Sequence, residues 1–288
     1  MKLSASIVLY QTDLTPLKKV IDSYFACKSE DLQLFLVDNS PTDLLKKVLT
    51  MYPDKEIHYI FNNQNMGYGK AHNVAIKKTI EQGLPYHIVL NPDLIIQENT
   101  LEKLTLYMNE NPEVGNIMPK IIYPNGQLQY LCKLLPTPID LFFRRFNLIP
   151  FKKWKENNNK HFELHAFGYN KIMNIPILSG CFMFLRTKAL EKVGLFDENI
   201  FMYLEDFDLN RRIHRDYKTV FFPDAVVVHE YQKASYKNIK LLKAHIKSAI
   251  YYFNKYGWFF DKERKSVNTQ TLQEIEKLNN NHSINHLT

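Results

Sequence analysis

The sequence predicts an α/β fold built on a mostly parallel sheet, and three observations predict it. Short apolar, β-rich runs alternate with amphipathic stretches through the first third of the chain. Three of those runs finish in Asp or Asn, which gathers polar side chains at the carboxyl edge, where such sheets bind ligands. The 288 residues, 45% of them apolar, supply a sizeable core for one large domain or two small ones.

The elements follow in order. LSASIVLY (3–10) reads as a strand and LTPLKKVIDSYFA (14–26) as a helix. LQLFLVDN (32–39) is a buried strand, residues 41–52 are helical, and EIHYIFN (56–62) is a third strand. GYGKAHNVAIKKTIEQG (67–83) is a helix with glycine at both ends. YHIVLNPD (86–93) is a fourth strand and NTLEKLTLYMNEN (99–111) a further helix. Residues 119–175 are rich in Pro, Asn and aromatics without a clear period, and read as irregular. IMNIPILSGCFMFLR (172–186) reads as one or two buried strands around Gly180, and KALEKVGLF begins a short helix. FMYLEDFDLNRRIHRDY follows, then the strands KTVFF and AVVVHE. A last helix, 237–256, carries Ile239, Leu242, Ile246, Ala249, Ile250 and Phe253 on one stripe, the pattern of a face that covers a core. Lys240, Lys243 and Lys247 flank that stripe, which also fits a helix lying on a membrane surface. The polar, Asn-rich segment 266–288 reads as loosely ordered.

Composition narrows the function. The formal charge of +7 suits an anionic partner. The bases are spread along the chain without a recognised binding motif, which argues against nucleic acid as the partner. A nucleotidyltransferase would show a Gly-rich, basic loop after the first strand, and VLYQTDLTPL has neither Gly nor base near that turn. Cys27, Cys132 and Cys181 are odd in number, far apart and without zinc-ligand spacing. They point to a reducing, cytosolic setting. The N-terminal MKLSASIVLYQ holds too short an apolar run for a signal peptide, and no window is apolar enough to span a bilayer. LFFRRFNLIPFKKWK (141–155) interleaves Arg144, Arg145, Lys152 and Lys153 with rings and suits either a surface loop or a lipid contact.

The stretch FMYLEDFDLNRR (201–212) concentrates the candidate chemistry. It places three carboxylates in six residues among aromatic rings. At about 100° per helical residue, Asp208 and Arg212 face each other as an ion pair, whereas Asp206 lies roughly 200° from Asp208. Glu205 and Asp206 fall in a first turn, where the helix dipole favours negative charge, so spacing alone leaves them either dipole partners or catalysts.

The blocks VDNS, NQNMGYGKAHNVAI, VLNPD, LSGCFMFLR, FMYLEDFDLNRR and VVVHEYQKAS, in that order over about residues 3–235, resemble the family-2 inverting glycosyltransferases of GT-A fold. Within them the similarity is to the bacterial rhamnosyltransferase-like members that build surface polysaccharides such as O-antigen or capsule. The resemblance implies a nucleotide-sugar donor, first dTDP-rhamnose and otherwise a UDP-hexose or UDP-N-acetylhexosamine. It implies a saccharide acceptor, carried on a polyprenyl diphosphate and met at the cytoplasmic face of the inner membrane. It also implies a divalent cation, Mg²⁺ or Mn²⁺. By the same resemblance Tyr10, Asp38, Asn65, Gly67, Asn73 and Asn91 line the nucleotide pocket. Asp93 and His229 hold the metal, Glu205 and Gly180 meet the acceptor, and Asp206 is the base. Asn91 stands where the family usually carries the first Asp of an Asp-x-Asp motif, so this site has one negative charge fewer. The implied organisation is a glycosyltransferase domain over 1–235, with a donor half (1–118) and an acceptor half (119–235), a basic amphipathic helix over 236–265 and a polar tail over 266–288.

Overall fold

The computed structural model describes residues 2–28, 31–145, 152–230 and 239–284. The N-terminal half is a regular alternation of β1 (Lys2–Leu9), α1 (Leu14–Phe25), β2 (Asp31–Asp38), a 3-10 segment (Leu44–Met51), β3 (Glu56–Phe61), α2 (Tyr68–Glu81) and β4 (Tyr86–Leu90). The second half contains β5 (Leu94–Ile96), α3 (Thr100–Glu110), β6 (Val114–Ile122), α4 (Pro138–Arg145), α5 (Lys152–Phe162), β7 (Met173–Asn174), β8 (Phe182–Arg186), α6 (Thr187–Val193), α7 (Glu205–Asp216), β9 (Lys218–His229), α8 (Ile239–Tyr256) and α9 (Lys262–Ile284).

The nine strands form one sheet in the order β3-β2-β1-β4-β8-β6-β9-β5, with β7 also on β9. The strands β3, β2, β1 and β4 are mutually parallel, as are β6 and β9, whereas β5, β7 and β8 pair antiparallel. Strands buried on both faces read as continuous apolar runs, which is why β1, β2 and β4 were legible in the sequence. Leu9 of β1 pairs with Asp38, and Asp38 pairs with Phe61 of β3, so three strands end level at one carboxyl edge.

Several expectations need correction. KTVFF and AVVVHE are one twelve-residue strand, β9, whose register against β6 shifts between Pro119 and Lys120. A shift of this kind interrupts the alternation that marks a single strand. The stretch 119–175 is not irregular, because it contributes part of β6 together with α4, α5 and β7. The side chains of Arg144, Arg145, Lys152 and Lys153 lie outside the described residues.

The tail expected to be loosely ordered is helix α9 as far as Ile284. Polar links hold it. Arg211 pairs with Asp261 just before the helix and with Glu263 in its first turn, Asn268 bonds both ways with Leu135, and Lys171 donates to the Leu278 carbonyl. The stripe of α8 is split: Ala249 packs against the core and Phe253 is buried in it, whereas its isoleucines are not. Ile239, Ile246 and Ile250 are exposed, and the buried side chains are Ser248, Tyr252 and Phe253.

Candidate active site

A cavity of about 610 Å³ opens where α7, β9, α8 and the segments before β8 meet. Its lining brings together Asn91, Gly180, Glu205, Asp206 and His229 from the predicted set. Tyr68, Gln129, Lys133 and His245 join them.

The base of the cavity begins at an unusual helix start. Tyr203 and Leu204 both have positive φ, 67° and 66°, a conformation that costs energy in residues with a Cβ. These two residues turn the chain so that Glu205 and Asp206 open α7 at the cavity wall. Gly180 donates its backbone N–H to Asp206 Oδ2 at 2.8 Å, and Phe207 N–H donates to Oδ1 at 2.9 Å. Each oxygen keeps a lone pair for a further partner. Burial pushes the Asp206 carboxyl above its ordinary value, against the two N–H donors and the nearby Lys133 charge, which pull it down. Glu205 is buried, and its Oε2 has no hydrogen-bond partner among the described residues. Its burial and the neighbouring Asp206 charge push it up to about 8. Within the pair, the two N–H donors favour the negative charge on Asp206 and the unpartnered Oε2 favours the proton on Glu205.

Asp208 turns away from this chemistry. It is fully buried, accepts from Arg212 Nε at 2.8 Å and, on its other oxygen, from Lys255 Nζ at 2.6 Å and Tyr256 Oη at 2.7 Å. The predicted ion pair with Arg212 is present, and it extends into a lock between α7 and α8.

The second cluster is built by β5, which the sequence reading missed inside the stretch after VLNPD. Leu94 pairs with His229 across β5 and β9, and this pairing sets Asp93 against the imidazole. Asp93 Oδ1 lies 3.2 Å from His229 Nε2. Gln129 Nε2 donates to the His229 carbonyl, which leaves Gln129 Oε1 to accept from His229 Nδ1 at 3.0 Å. The Nδ1–H tautomer follows, and in the neutral ring Nε2 is then a lone pair facing a carboxylate. Two acceptors at that distance require a proton or a cation between them. Asp93 Oδ1 is buried with no hydrogen-bond partner among the described residues. Such a carboxylate–imidazole pair, with its imidazole held from behind by Gln129, fits a divalent cation whose remaining ligands are phosphate oxygens and water. No group of three His, Cys, Asp or Glu side chains converges as a complete metal cage among the described residues.

Tyr68 couples the two clusters. Its hydroxyl lies 2.9 Å from Asn91 Oδ1 and 2.8 Å from the Gly180 carbonyl, and Asn91 N–H donates to the Cys181 carbonyl. Burial and the charges of Glu205, Asp206 and Asp93 push the Tyr68 phenol well up, so it stays a donor.

The other predicted nucleotide residues lie outside this cavity. Asp38 is fully buried, with its oxygens engaged by Ser40 N–H at 2.8 Å and by the Tyr59 hydroxyl. Tyr10 is half exposed on the same strand edge, and Asn65 is exposed and accepts from Gly67 N–H. Gly67, with φ +90°, sits so close to Phe201 that a Cβ would approach its carbonyl oxygen to 2.3 Å. Asn73 has protein partners. It is buried inside α2, its Nδ2 donates to Phe196 O and its Oδ1 accepts from Phe196 N–H. Together with the Tyr68 N–H bond to Phe201 O, it braces the segment that leads into α7.

Lys133 was missed although a single base inside LCKLL is a visible anomaly, since lysine is seldom buried without a partner or a task. Gln129 and Tyr68 left no such signal, because their roles come from pairings far away in sequence.

The model of "Glycosyl transferase family 2" matches residues 4–194. The chain belongs to glycosyl transferase family 2. The match includes Asp93 and Gly180 and stops before Asp206 and His229, which rest on the geometry above. Among curated relatives, the low-salt glycan biosynthesis hexosyltransferase Agl10 of Haloferax volcanii is 28% identical over 216 residues, covering 74% of this chain and 62% of that protein. The chain thus spans less than two thirds of that relative. The N-acetylglucosaminyl-diphospho-decaprenol L-rhamnosyltransferase of Mycobacterium tuberculosis is 27% identical over 260 residues, covering 84% of this chain and 82% of that protein. Among solved structures, residues 1–349 of S. aureus TarS in complex with UDP-GlcNAc superpose with a TM-score of 0.60 at 14% identity, over 94% of this chain and 72% of that one. The fold of this family 2 member is accordingly of GT-A type.

Proposed function

We propose that this protein is an inverting glycosyltransferase that moves a sugar from a nucleoside diphosphate to a saccharide hydroxyl. The observation that carries the reading is Asp206, a carboxylate held by two backbone N–H groups in a cavity also lined by His229, whose Nε2 lies 3.2 Å from Asp93. Asp206 takes the proton of the acceptor hydroxyl as its oxygen attacks the anomeric carbon from the face opposite the leaving group. The bond from that carbon to the diphosphate oxygen breaks, the nucleoside diphosphate departs with the electron pair, and the configuration inverts. Glu205, still protonated, hydrogen-bonds an acceptor oxygen beside Asp206. Asp93 and His229 would hold Mg²⁺ or Mn²⁺. Bound there, the cation would supply charge stabilisation for the departing diphosphate. The level strand ends that carry Tyr10, Asp38 and Asn91 form the edge over which the donor nucleotide would lie.

The donor reading is rhamnose from dTDP-rhamnose; the Mycobacterium relative's name supports the sugar. A hexose from a UDP donor is the second reading, favoured by the hexosyltransferase name of the Haloferax relative. The acceptor would be a growing saccharide on a polyprenyl diphosphate at the cytoplasmic face of the inner membrane, in surface-polysaccharide synthesis. Among the described residues no helix is long and apolar enough to cross a membrane, so contact would be peripheral. A panel of nucleotide sugars, read by release of nucleoside diphosphate, tests the assignment. Turnover of dTDP-rhamnose above all others is expected, and absence of turnover with every nucleotide sugar, with and without saccharide acceptors, would overturn it.

A further inference from the structure

The turn between α8 and α9 presents the two most exposed aromatic side chains of the described residues, with a third exposed ring beside them. Phe260 is 97% exposed, Phe259 76% and Trp258 38%. Isolated apolar residues at a surface are ordinary, but three adjacent rings are not. The turn is also firmly built. Gly257, at φ +105°, donates to the Phe253 carbonyl, and Trp258 packs on Phe253 with its Nε1–H on Asn254 Oδ1. Arg264 donates to the carbonyl of Phe259 at 3.2 Å and to that of Pro136 at 3.2 Å. The phenylalanines are therefore held out by a fixed backbone.

The exposed face of α8 leads into this turn. At about 100° per residue, Ile239, Ile246, Ile250 and Gly257 fall within roughly 40° of one another, a line about 27 Å long. Lys243 and Lys247 are exposed beside that line, and Lys262 and Lys265 are exposed at the start of α9. No acidic residue occurs in α8. The acids of the turn are neutralised from within, Asp261 by Arg211 and Glu263 by Arg211 and Arg215. The surface is thus an apolar ridge with uncompensated positive flanks. About 200° around the same helix from Ile239, Leu241 and His245 line the active-site cavity.

We propose that the Trp258–Phe260 turn and the Ile239–Ile250 face of α8 are a shallow insertion surface for an anionic lipid bilayer. Rings and isoleucines enter the headgroup boundary while the lysines meet anionic headgroups. Charge chooses the occupant. The exposed bases are lysines, which protein interfaces deplete, and the ridge has no acid to meet a basic or mixed partner. Because the other side of α8 walls the cavity, docking by this surface brings the cavity close to the bilayer. The proposal adds the contact surface to the peripheral-membrane reading above. It rests on residues apart from the catalytic cavity, so vesicle binding and sugar transfer are tested separately.

The test is flotation of the full chain with vesicles of phosphatidylcholine with or without phosphatidylglycerol. The native protein is expected to float with the phosphatidylglycerol vesicles, less so as salt rises. In a Trp154→Phe background the Trp258 emission is expected to shift to the blue. The double variant Phe259→Ser/Phe260→Ser is expected to bind at least about tenfold more weakly, because two rings lose their burial. Lys243→Gln/Lys247→Gln/Lys262→Gln/Lys265→Gln is expected to lose the preference for phosphatidylglycerol. Both variants change exposed side chains, so denaturant midpoints and turnover of a soluble acceptor are expected to stay native. Native protein that fails to float, or a double serine variant that floats with native affinity, would overturn the proposal. So would light scattering that shows a native dimer made monomeric by the two serines, which would assign the ridge to a second copy of the chain.

Discussion

Gly180 and Asp206 meet closely in the cavity: the glycine N–H donates to the carboxylate at 2.8 Å, and a Cβ on Gly180 would lie 3.0 Å from Asp206 Cβ. The backbone that orients the proposed base therefore also favours a residue without a side chain beside it. Gly180→Ala is expected to lower kcat by up to about 10-fold, because Asp206 must give by a few tenths of an ångström where about 1 Å would cost roughly 100-fold. Donor affinity should change little. Steady-state kinetics with a defined donor check this, and native kcat in the alanine variant would contradict it.

Gln129 sets the tautomer of His229 and so turns Nε2 toward Asp93. Gln129→Ala is expected to weaken activation by Mg²⁺ or Mn²⁺ by about 10- to 100-fold, as loss of a partner behind a metal ligand does. Activity should fall with chelator and return with the metal, and Asp93→Ala should weaken donor binding. Metal titrations of native and variant protein, followed by donor-binding calorimetry, read both effects. Full activity in excess chelator would remove the metal from the account.

The two adjacent carboxylates give a pH signature. Glu205 is pushed up to about 8, so it is protonated at neutral pH and ionises as pH rises through that value. Ionisation would place a second negative charge beside Asp206, remove a hydrogen-bond donor and lower kcat on the alkaline side. Glu205→Gln keeps a neutral donor at all pH values. The expected result is loss of the alkaline limb near pH 8, with the acid limb of Asp206 kept. An unchanged alkaline limb in the glutamine variant would assign that limb to another group.

Asp208 is the acid of the three that serves structure, through the predicted pair with Arg212. It receives Arg212, Lys255 and Tyr256 in a fully buried position and ties α7 to α8. Asp208→Ala is expected to cost about 3–5 kcal/mol of unfolding free energy, because it strands buried partners. Equilibrium denaturation measures it, and a loss below about 0.5 kcal/mol, the scale of an ordinary surface change, would contradict it.

The parts of the fold that were legible are those with a local signal. The runs of β1, β2 and β4 are apolar because both sheet faces are covered, and the Asp208–Arg212 pair follows from helical spacing. β5 is three residues long and exists only through its pairing with β9, so nothing local announces it. Helix α9 puts only Val267, Leu272 and Ile275 against the core and is otherwise held by Arg264, Asn268 and the acids around its start, which composition alone reads as a loose tail. The stripe of α8 was visible, but periodicity does not say where its edge lies: Ala249 and Phe253 meet the core and the isoleucines do not. Asn73 was read as a nucleotide contact because it follows a glycine-bearing helix start, yet its partner, Phe196, is 123 residues away.

Asp206→Asn tests the central claim most directly. The substitution keeps the shape and leaves Oδ1 to accept from a backbone N–H, but removes the proton acceptor. Single-turnover sugar transfer at saturating donor is predicted to slow by at least about 100-fold, the low end for loss of a general base. Donor affinity measured in parallel is predicted to stay within a few fold of native. Native transfer rates in the Asp206→Asn protein would contradict the account.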